Sequence, residues 1–168
     1  MSTPTMPITL SSPLSMYSIP AVWLTAFLPV TMKTILIQKS RGYNNLEPRQ
    51  STSRIATDKG LPSAVAARIL RMEGAHLNGY ENLPIWIAAV LAGHIAHLDN
   101  YTLNVASLLY IGGRIAYNYI YINQATEPQS WARSGVYFGS LSLPMYLLFK
   151  AAAKIAASEV VVPAVVVL

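Results

Sequence analysis

The chain has 168 residues, 53% of them hydrophobic and only 11% charged, with a mean hydropathy of +0.38. That is too apolar for a soluble domain of this length and points to an integral membrane protein with room for one helical unit. With no cysteine in the chain, disulfides, thiolate zinc sites and a protein thiol nucleophile are excluded. The net charge of +5 is concentrated in a few places, and beside apolar spans such clustering reads as an orientation signal rather than as nucleic-acid binding.

Residues 1–15 are rich in Ser, Thr and Pro and are expected to form a loose tail. No Lys or Arg precedes Lys33, so the basic n-region of a secretory signal peptide is missing. A membrane span needs about 20 apolar residues. Four candidates appear, at about 16–38, 63–97, 102–124 and 131–157. The first carries Pro20, Pro29 and Lys33. The second is longer than a bilayer requires, so its first turns, with Arg68, Arg71 and Glu73, are expected to project toward water. Pro62 and Ser63 are a plausible start for it, and Asn100 for the third. Pro84 removes a backbone donor inside the second span and leaves the Tyr80 carbonyl without its usual partner, which predicts a kink.

The turns at 97–101 and 124–130 are short, which makes sequential helices antiparallel neighbours in an up-down, all-α bundle. The 39–62 connection is longer and basic, with Lys39, Arg41, Arg49, Arg54 and Lys59, and Arg68 and Arg71 lie just beyond it. The positive-inside rule puts it in the cytosol and the 97–101 turn on the far side. Lys150 and Lys154 dissent from that rule unless they snorkel. The valine-rich tail 158–168 is too short to span.

Several polar side chains fall inside these apolar segments. A charge near the centre of a membrane helix costs about 2.5–3.5 kcal/mol on insertion scales, so such groups are expected to meet one another, water or a ligand. Helical spacing groups Arg71, Asn78 and Asn82 on one stripe, with Glu81 at its edge. Gly74 and Ala75 lie between them and permit close approach. Arg114, Tyr117 and Tyr121 share a face of the third helix, and Arg133, Ser134 and Tyr137 an arc of the fourth. Arg offers a donor fork for carboxylates. Glu81 can accept from an ammonium or neutralise Arg114, and a purely helix-holding Glu81–Arg114 pair is an equally good reading. Arg133 with Ser134 can stabilise a thiolate brought by a ligand, although Arg133 and Tyr137 also suit interface anchoring. Tyr119 and Trp131 read as lipid-interface residues, and His76 as packing. His94, His97 and Asp99 supply no third strong metal ligand, so no metal is expected. Nothing sets Ser, His and Asp in a hydrolytic triad.

The run from Arg71 to Pro84, with its Ala75-His76-x-Asn78-x-x-Glu81-Asn82 core, resembles the second-helix signature of the MAPEG family, membrane-associated proteins in eicosanoid and glutathione metabolism. Tyr43-Asn44-Asn45 followed by Pro48-Arg49 is similar to the loop before that helix in short members. Gly113-Arg114-x-Ala116-Tyr117-x-x-x-Tyr121 and Arg133-Ser134-x-x-Tyr137 resemble the third- and fourth-helix signatures. The resemblance spans about Tyr17 to Ala157 and is greatest to the short branch of the family. It implies a four-transmembrane-helix domain over 16–157 that trimerises and binds glutathione between subunits near the cytosolic side. Asn78, Glu81, Tyr117, Tyr121, Arg133, Ser134 and Tyr137 would then contact glutathione, with Arg114 in support and Arg133 and Ser134 activating its thiol. Gly74 and Leu77 stand where eicosanoid-metabolising members often place basic residues, and Tyr117 where some have His.

The leading expectation is a homotrimeric multi-pass membrane enzyme of lipid metabolism, compatible with the endoplasmic reticulum. It would join glutathione to a lipophilic electrophile or use it to reduce a lipid hydroperoxide. Two rivals keep the fold. One is a glutathione-independent isomerase or cyclase using Glu81, Tyr117 and Arg133. The other is a non-enzymatic membrane adaptor whose polar residues only join helices.

Overall fold

The computed structural model describes residues 7–160, with side chains to 158. These residues form four long α-helices and one short one: α1 (Ser18–Arg41), α2 (Ser51–Thr57), α3 (Ser63–Ile95), α4 (Asn100–Asn123) and α5 (Glu127–Val160). No strand occurs among the described residues. The predicted spans match the long helices to within a few residues, α5 beginning four residues early at Glu127. The predicted apolar tail lies, from residue 161 on, outside the described residues.

The central helix is α3, which packs against each of the other four. Its buried face steps through Ile69, Met72, Ala75, Gly79, Asn82, Trp86, Ala89 and Gly93, the three-to-four spacing of one helical stripe. Small residues bring backbones together. A Cβ at Gly79 would stand 2.6 Å from that of Ala26 on α1, so these helices meet nearly backbone to backbone. Trp86 anchors the core. It is fully buried, stacks on Tyr110 at 4.2 Å and donates to the Ser18 hydroxyl at 3.1 Å, and such an aromatic pair adds about 0.5–1.5 kcal/mol beyond its buried area.

Proline disrupts α1 and its neighbours repair it. Pro29 has no N–H, so the Thr25 carbonyl loses its helical donor. Asn118 of α4 donates its Nδ2 hydrogen to that oxygen at 2.7 Å. One residue on, His76 of α3 donates through Nδ1 to the Ala26 carbonyl at 2.8 Å. The predicted packing role of His76 is therefore specific: it stitches α3 to α1.

At the far end, α3 stops in a Schellman cap. His97 takes a left-handed φ of 51°, and the Leu98 N–H reaches the Gly93 carbonyl at 2.9 Å. Asp99 then caps α4, accepting from the Thr102 N–H at 2.8 Å. Lys150 and Lys154 fold back onto this turn, to Thr102 and to the His97 carbonyl.

Three local expectations are corrected. The 39–62 connection contains α2, a helix too short and polar to show in the pattern. It is held by Ile55, buried with Ile37 and Ile69. Glu73 does not project into water; it pairs with Lys33, a buried lysine on α1 that also donates to Thr52 of α2 at 3.1 Å. Of the expected loose tail, residues 1–6 lie outside the described residues, and residues 9–15 are not loose. Ser12 and Leu10 give their carbonyls to Asn104, and buried Ser15 bonds His94 at 2.8 Å.

Two helical segments, Ser15–Arg41 and Glu127–Ser158, are each long and apolar enough to cross a membrane. The outer faces of α1, α4 and α5 are lined with exposed Trp23, Leu24, Phe27, Leu108, Leu109, Phe138 and Phe149. Apolar surface on that scale is not left against water.

Candidate functional site

Three helices converge toward the α4–α5 turn. Asn78 of α3, Tyr117 and Tyr121 of α4, and Arg133, Ser134, Tyr137 and Phe138 of α5 line one open depression of about 310 Å3. That volume is near the lower bound of small-molecule sites. Each helix delivers its residues by period. Tyr117 and Tyr121 are one turn apart, as are Ser134 and Phe138.

The floor is a charge held by dipoles. Arg114 is 2% exposed and donates through Nη2 to Asn78 Oδ1 at 2.8 Å. Its guanidinium also lies 4.7 Å from the centre of the Tyr117 ring, an attraction of about 0.5–2 kcal/mol. Asn82 donates to the Asn78 carbonyl at 2.9 Å. Asn78 is thus fixed from two sides, with Arg114 beneath it.

The wall is aromatic and cationic. Tyr117 contacts Tyr121 and Tyr137, with ring centres 5.5 and 5.9 Å apart. The Arg133 guanidinium rests 4.9 Å over Tyr121. The Tyr121 hydroxyl sits against α3 at Gly74, where an added Cβ would come within 2.6 Å of it. The glycine noted as a departure from the eicosanoid pattern therefore makes room for the tyrosine. The Ser134 hydroxyl donates to the Ser130 carbonyl at 3.2 Å, so it is engaged with its own helix.

Six of the residues singled out from the sequence meet here: Asn78, Tyr117, Tyr121, Arg133, Ser134 and Tyr137. Arg114 lies below them. Glu81 does not join, because it sits on the exposed face of α3. The Glu81–Arg114 pair is not formed in the protomer; Asn78 takes its place. Arg71, expected on the same stripe as Asn78, instead donates from Nε to the Ile122 carbonyl at 3.0 Å and holds the end of α4. Phe138 went unnoticed in the sequence. Its one-turn offset from Ser134 was the available signal. Tyr119 and Trp131 are exposed, as lipid-interface residues would be. His94 and Asp99 are engaged with Ser15 and Thr102, and among the described residues no three His, Asp or Glu side chains gather as a metal site.

From Leu70 on, the exposed positions of α3 other than Tyr80 form their own series: Leu70, Leu77, Glu81, Pro84, Ala88, Leu91 and Ile95. Their spacings of seven, four, three, four, three and four are those of a helix-packing seam. Glu81 is the one charge on it.

A helical bundle with apolar outer faces and two helices long and apolar enough to cross a bilayer defines a membrane protein. The chain belongs to the MAPEG family, whose family model matches residues 15–153. No curated protein and no solved structure matches the chain significantly.

Proposed function

We propose that the protein is a glutathione-dependent membrane enzyme that acts on a lipophilic electrophile or lipid hydroperoxide, and that four helices, α1, α3, α4 and α5, span the membrane. The observation that carries this reading is the meeting of Asn78, Tyr117, Tyr121, Arg133, Ser134 and Tyr137 in one depression. MAPEG members generally use glutathione and form trimers.

The donor set fits the tripeptide in part. Glutathione carries two carboxylates, an ammonium and a thiol. Arg133 supplies a cation for a carboxylate or thiolate, the tyrosine hydroxyls and the Asn78 amide supply polar contacts, and the rings supply apolar surface. No carboxylate lines the depression to meet the ammonium. Glu81 is the nearby acid, and it faces outward on the α3 seam. A neighbouring copy packed on that seam would turn Glu81 toward a shared site, which favours a homotrimer with sites between protomers.

When bound, glutathione supplies a sulfur nucleophile: thioether formation expels a leaving group or opens a ring whose oxygen takes up a proton, while a hydroperoxide consumes two thiols and yields alcohol, water and disulfide. Arg133 holds the negative charge on sulfur by proximity. Ser134 can add a hydrogen bond only by releasing the Ser130 carbonyl. Arg114 keeps Asn78 aimed and acts as a positioning residue. The aromatic wall offers ring faces beside the charge. The basic 39–62 loop, at the same end as the depression, would place the tripeptide's entrance on the cytosolic side.

Titration calorimetry with glutathione on detergent-purified oligomer tests the reading. Binding at millimolar concentration or tighter is expected, weakened at least tenfold by Arg133→Ala with the oligomer unchanged. Folded, oligomeric protein that binds no glutathione at millimolar concentration would overturn it. Arg133→Ala or Tyr137→Ala that disperses the oligomer without changing binding would favour a purely structural role.

A further inference from the structure

The basic connection between α1 and α3 encloses a cleft of about 290 Å3 against the end of α1. Ile37 and Ile55, both buried, back it, and Arg41, Asn44, Ser51, Arg54 and Asp58 supply its polar lining. Arg41 is the last residue of α1, a helix long and apolar enough to cross a membrane. With α1 across the bilayer, the cleft lies at the level of the lipid headgroups.

The side-chain acceptors in this cleft are occupied. Asp58 Oδ2 meets Arg41 Nε at 2.7 Å, and Asp58 Oδ1 accepts from Arg41 Nη2 at 3.3 Å and from the Gly60 N–H at 2.8 Å. Asn44 Oδ1 accepts from the Leu46 N–H at 2.9 Å, which makes Nδ2 the free end of that amide. What remains is donors. The Arg41 and Arg54 side chains are 41% and 44% exposed, so a ligand can reach both. Neither uses Nη1 in a hydrogen bond: Arg54 gives Nη2 to the Glu47 carbonyl at 3.1 Å, and the Glu47 carboxylate stands 3.9 Å from Nη1, beyond bonding range. Ser51 is 4% exposed, and its hydroxyl bonds no group among the described residues yet is not sealed from solvent. Two guanidiniums against one carboxylate leave the lining net positive. Arg41 is also held in place, packed on Gly60 so closely that a Cβ there would collide with its guanidinium.

We propose that this cleft binds a phosphomonoester borne on a lipid headgroup, its phosphate oxygens accepting from Arg41, Arg54, Asn44 and Ser51. A donor-rich, positive lining calls for an oxyanion, and paired guanidinium N–H groups match phosphate geometry. A monoester offers three terminal oxygens and about 1.5–2 negative charges near neutral pH. A phosphodiester has only two free oxygens and one charge, and a choline head adds a cation that the arginines repel. The volume suits a phosphate and its glycerol, with the acyl chains left in the bilayer. This site is independent of glutathione use.

Titration calorimetry tests it, with the full chain in detergent and soluble short-chain lipids. Dihexanoyl phosphatidate should bind at least tenfold tighter than dihexanoyl phosphatidylglycerol or phosphatidylcholine. Arg54→Gln should weaken phosphatidate binding at least tenfold, and Ser51→Ala at least threefold. Arg49→Gln takes the same charge from the connection at a residue outside the cleft and should change affinity less than threefold. A loss there as large as that of Arg54→Gln would reduce the effect to diffuse attraction of anions and overturn the proposal. So would equal affinity for phosphatidate and phosphatidylglycerol. Glycerol phosphate carries the same group without chains; if it binds as tightly as phosphatidate, the ligand is a soluble ester and the lipid assignment falls. Millimolar glutathione should leave phosphatidate binding unchanged, and displacement would make the cleft a carboxylate site instead. If Arg54→Gln does not fold, the ligand series and Ser51→Ala still decide the question.

Discussion

Asn78→Ala tests the floor of the depression directly. Arg114 is buried, and its hydrogen bond to Asn78 Oδ1 spans 2.8 Å. Removing the acceptor leaves a guanidinium with the Tyr117 ring as its remaining close partner. A hydrogen bond to a charged group contributes about 1.5–3 kcal/mol. For a chain of this size, each kcal/mol shifts the melting temperature by about 2–4 °C. Asn78→Ala should therefore lower Tm by about 3–12 °C, read from tryptophan fluorescence in detergent. Arg114→Met removes the charge itself. In the double variant the loss should be less than additive, with a coupling of about 1.5–3 kcal/mol in a double-mutant cycle. An additive double variant, or an Asn78→Ala penalty below about 0.5 kcal/mol, would mean that this bond does not hold the site together.

Gly74→Ala places a methyl group 2.6 Å from the Tyr121 hydroxyl; such overpacking costs about 1–3 kcal/mol, and ligand affinity measured by calorimetry should fall with it. Lys33→Met leaves the part-buried Glu73 without the buried lysine that pairs with it, a loss of about 1–3 kcal/mol. Limited proteolysis of the 42–62 loop should accelerate, and adding Glu73→Gln should restore resistance. Asp99 lies outside the spans, and the Thr102 N–H, followed by the Thr102 hydroxyl, holds its carboxyl below the usual 3.8. A depressed acid stabilises the fold above 3.8 and loses that contribution as pH falls through its lower folded value. Hydrogen exchange in the first turn of α4 should rise across that acid window, whereas Asp99→Asn should flatten the dependence.

Periodicity carried much of the architecture. The four long helices stand where apolar runs and short turns put them, because burying a stripe requires the spacing that makes it visible. The polar triplets were legible for a related reason: on each helix, residues three or four apart had to share a face. What spacing does not encode is which face finds which partner. Asn78 and Glu81 are three residues apart and both chemically suited to Arg114; only the rotation of α3 against α4 selects Asn78. The Lys33–Glu73 pair and the clasp of Asn104 on Leu10 join residues 40 and 94 positions apart, beyond the reach of local pattern. Helix α2 was hidden because its stability comes from Ile55 against Ile37 and Ile69 rather than from its own polar sequence.

The repair of α1 bears on how the protein is made. Synthesis delivers this helix before α3 and α4, yet the Thr25 oxygen freed by Pro29 waits for Asn118, which emerges from the ribosome more than ninety residues later. The added bond from His76 to the next carbonyl, at Ala26, comes fifty residues on. A helix made before its partners is thus completed only after them. Chains truncated before α4 should carry an open polar group in hydrocarbon, a mark by which cellular surveillance could tell unfinished copies from finished ones.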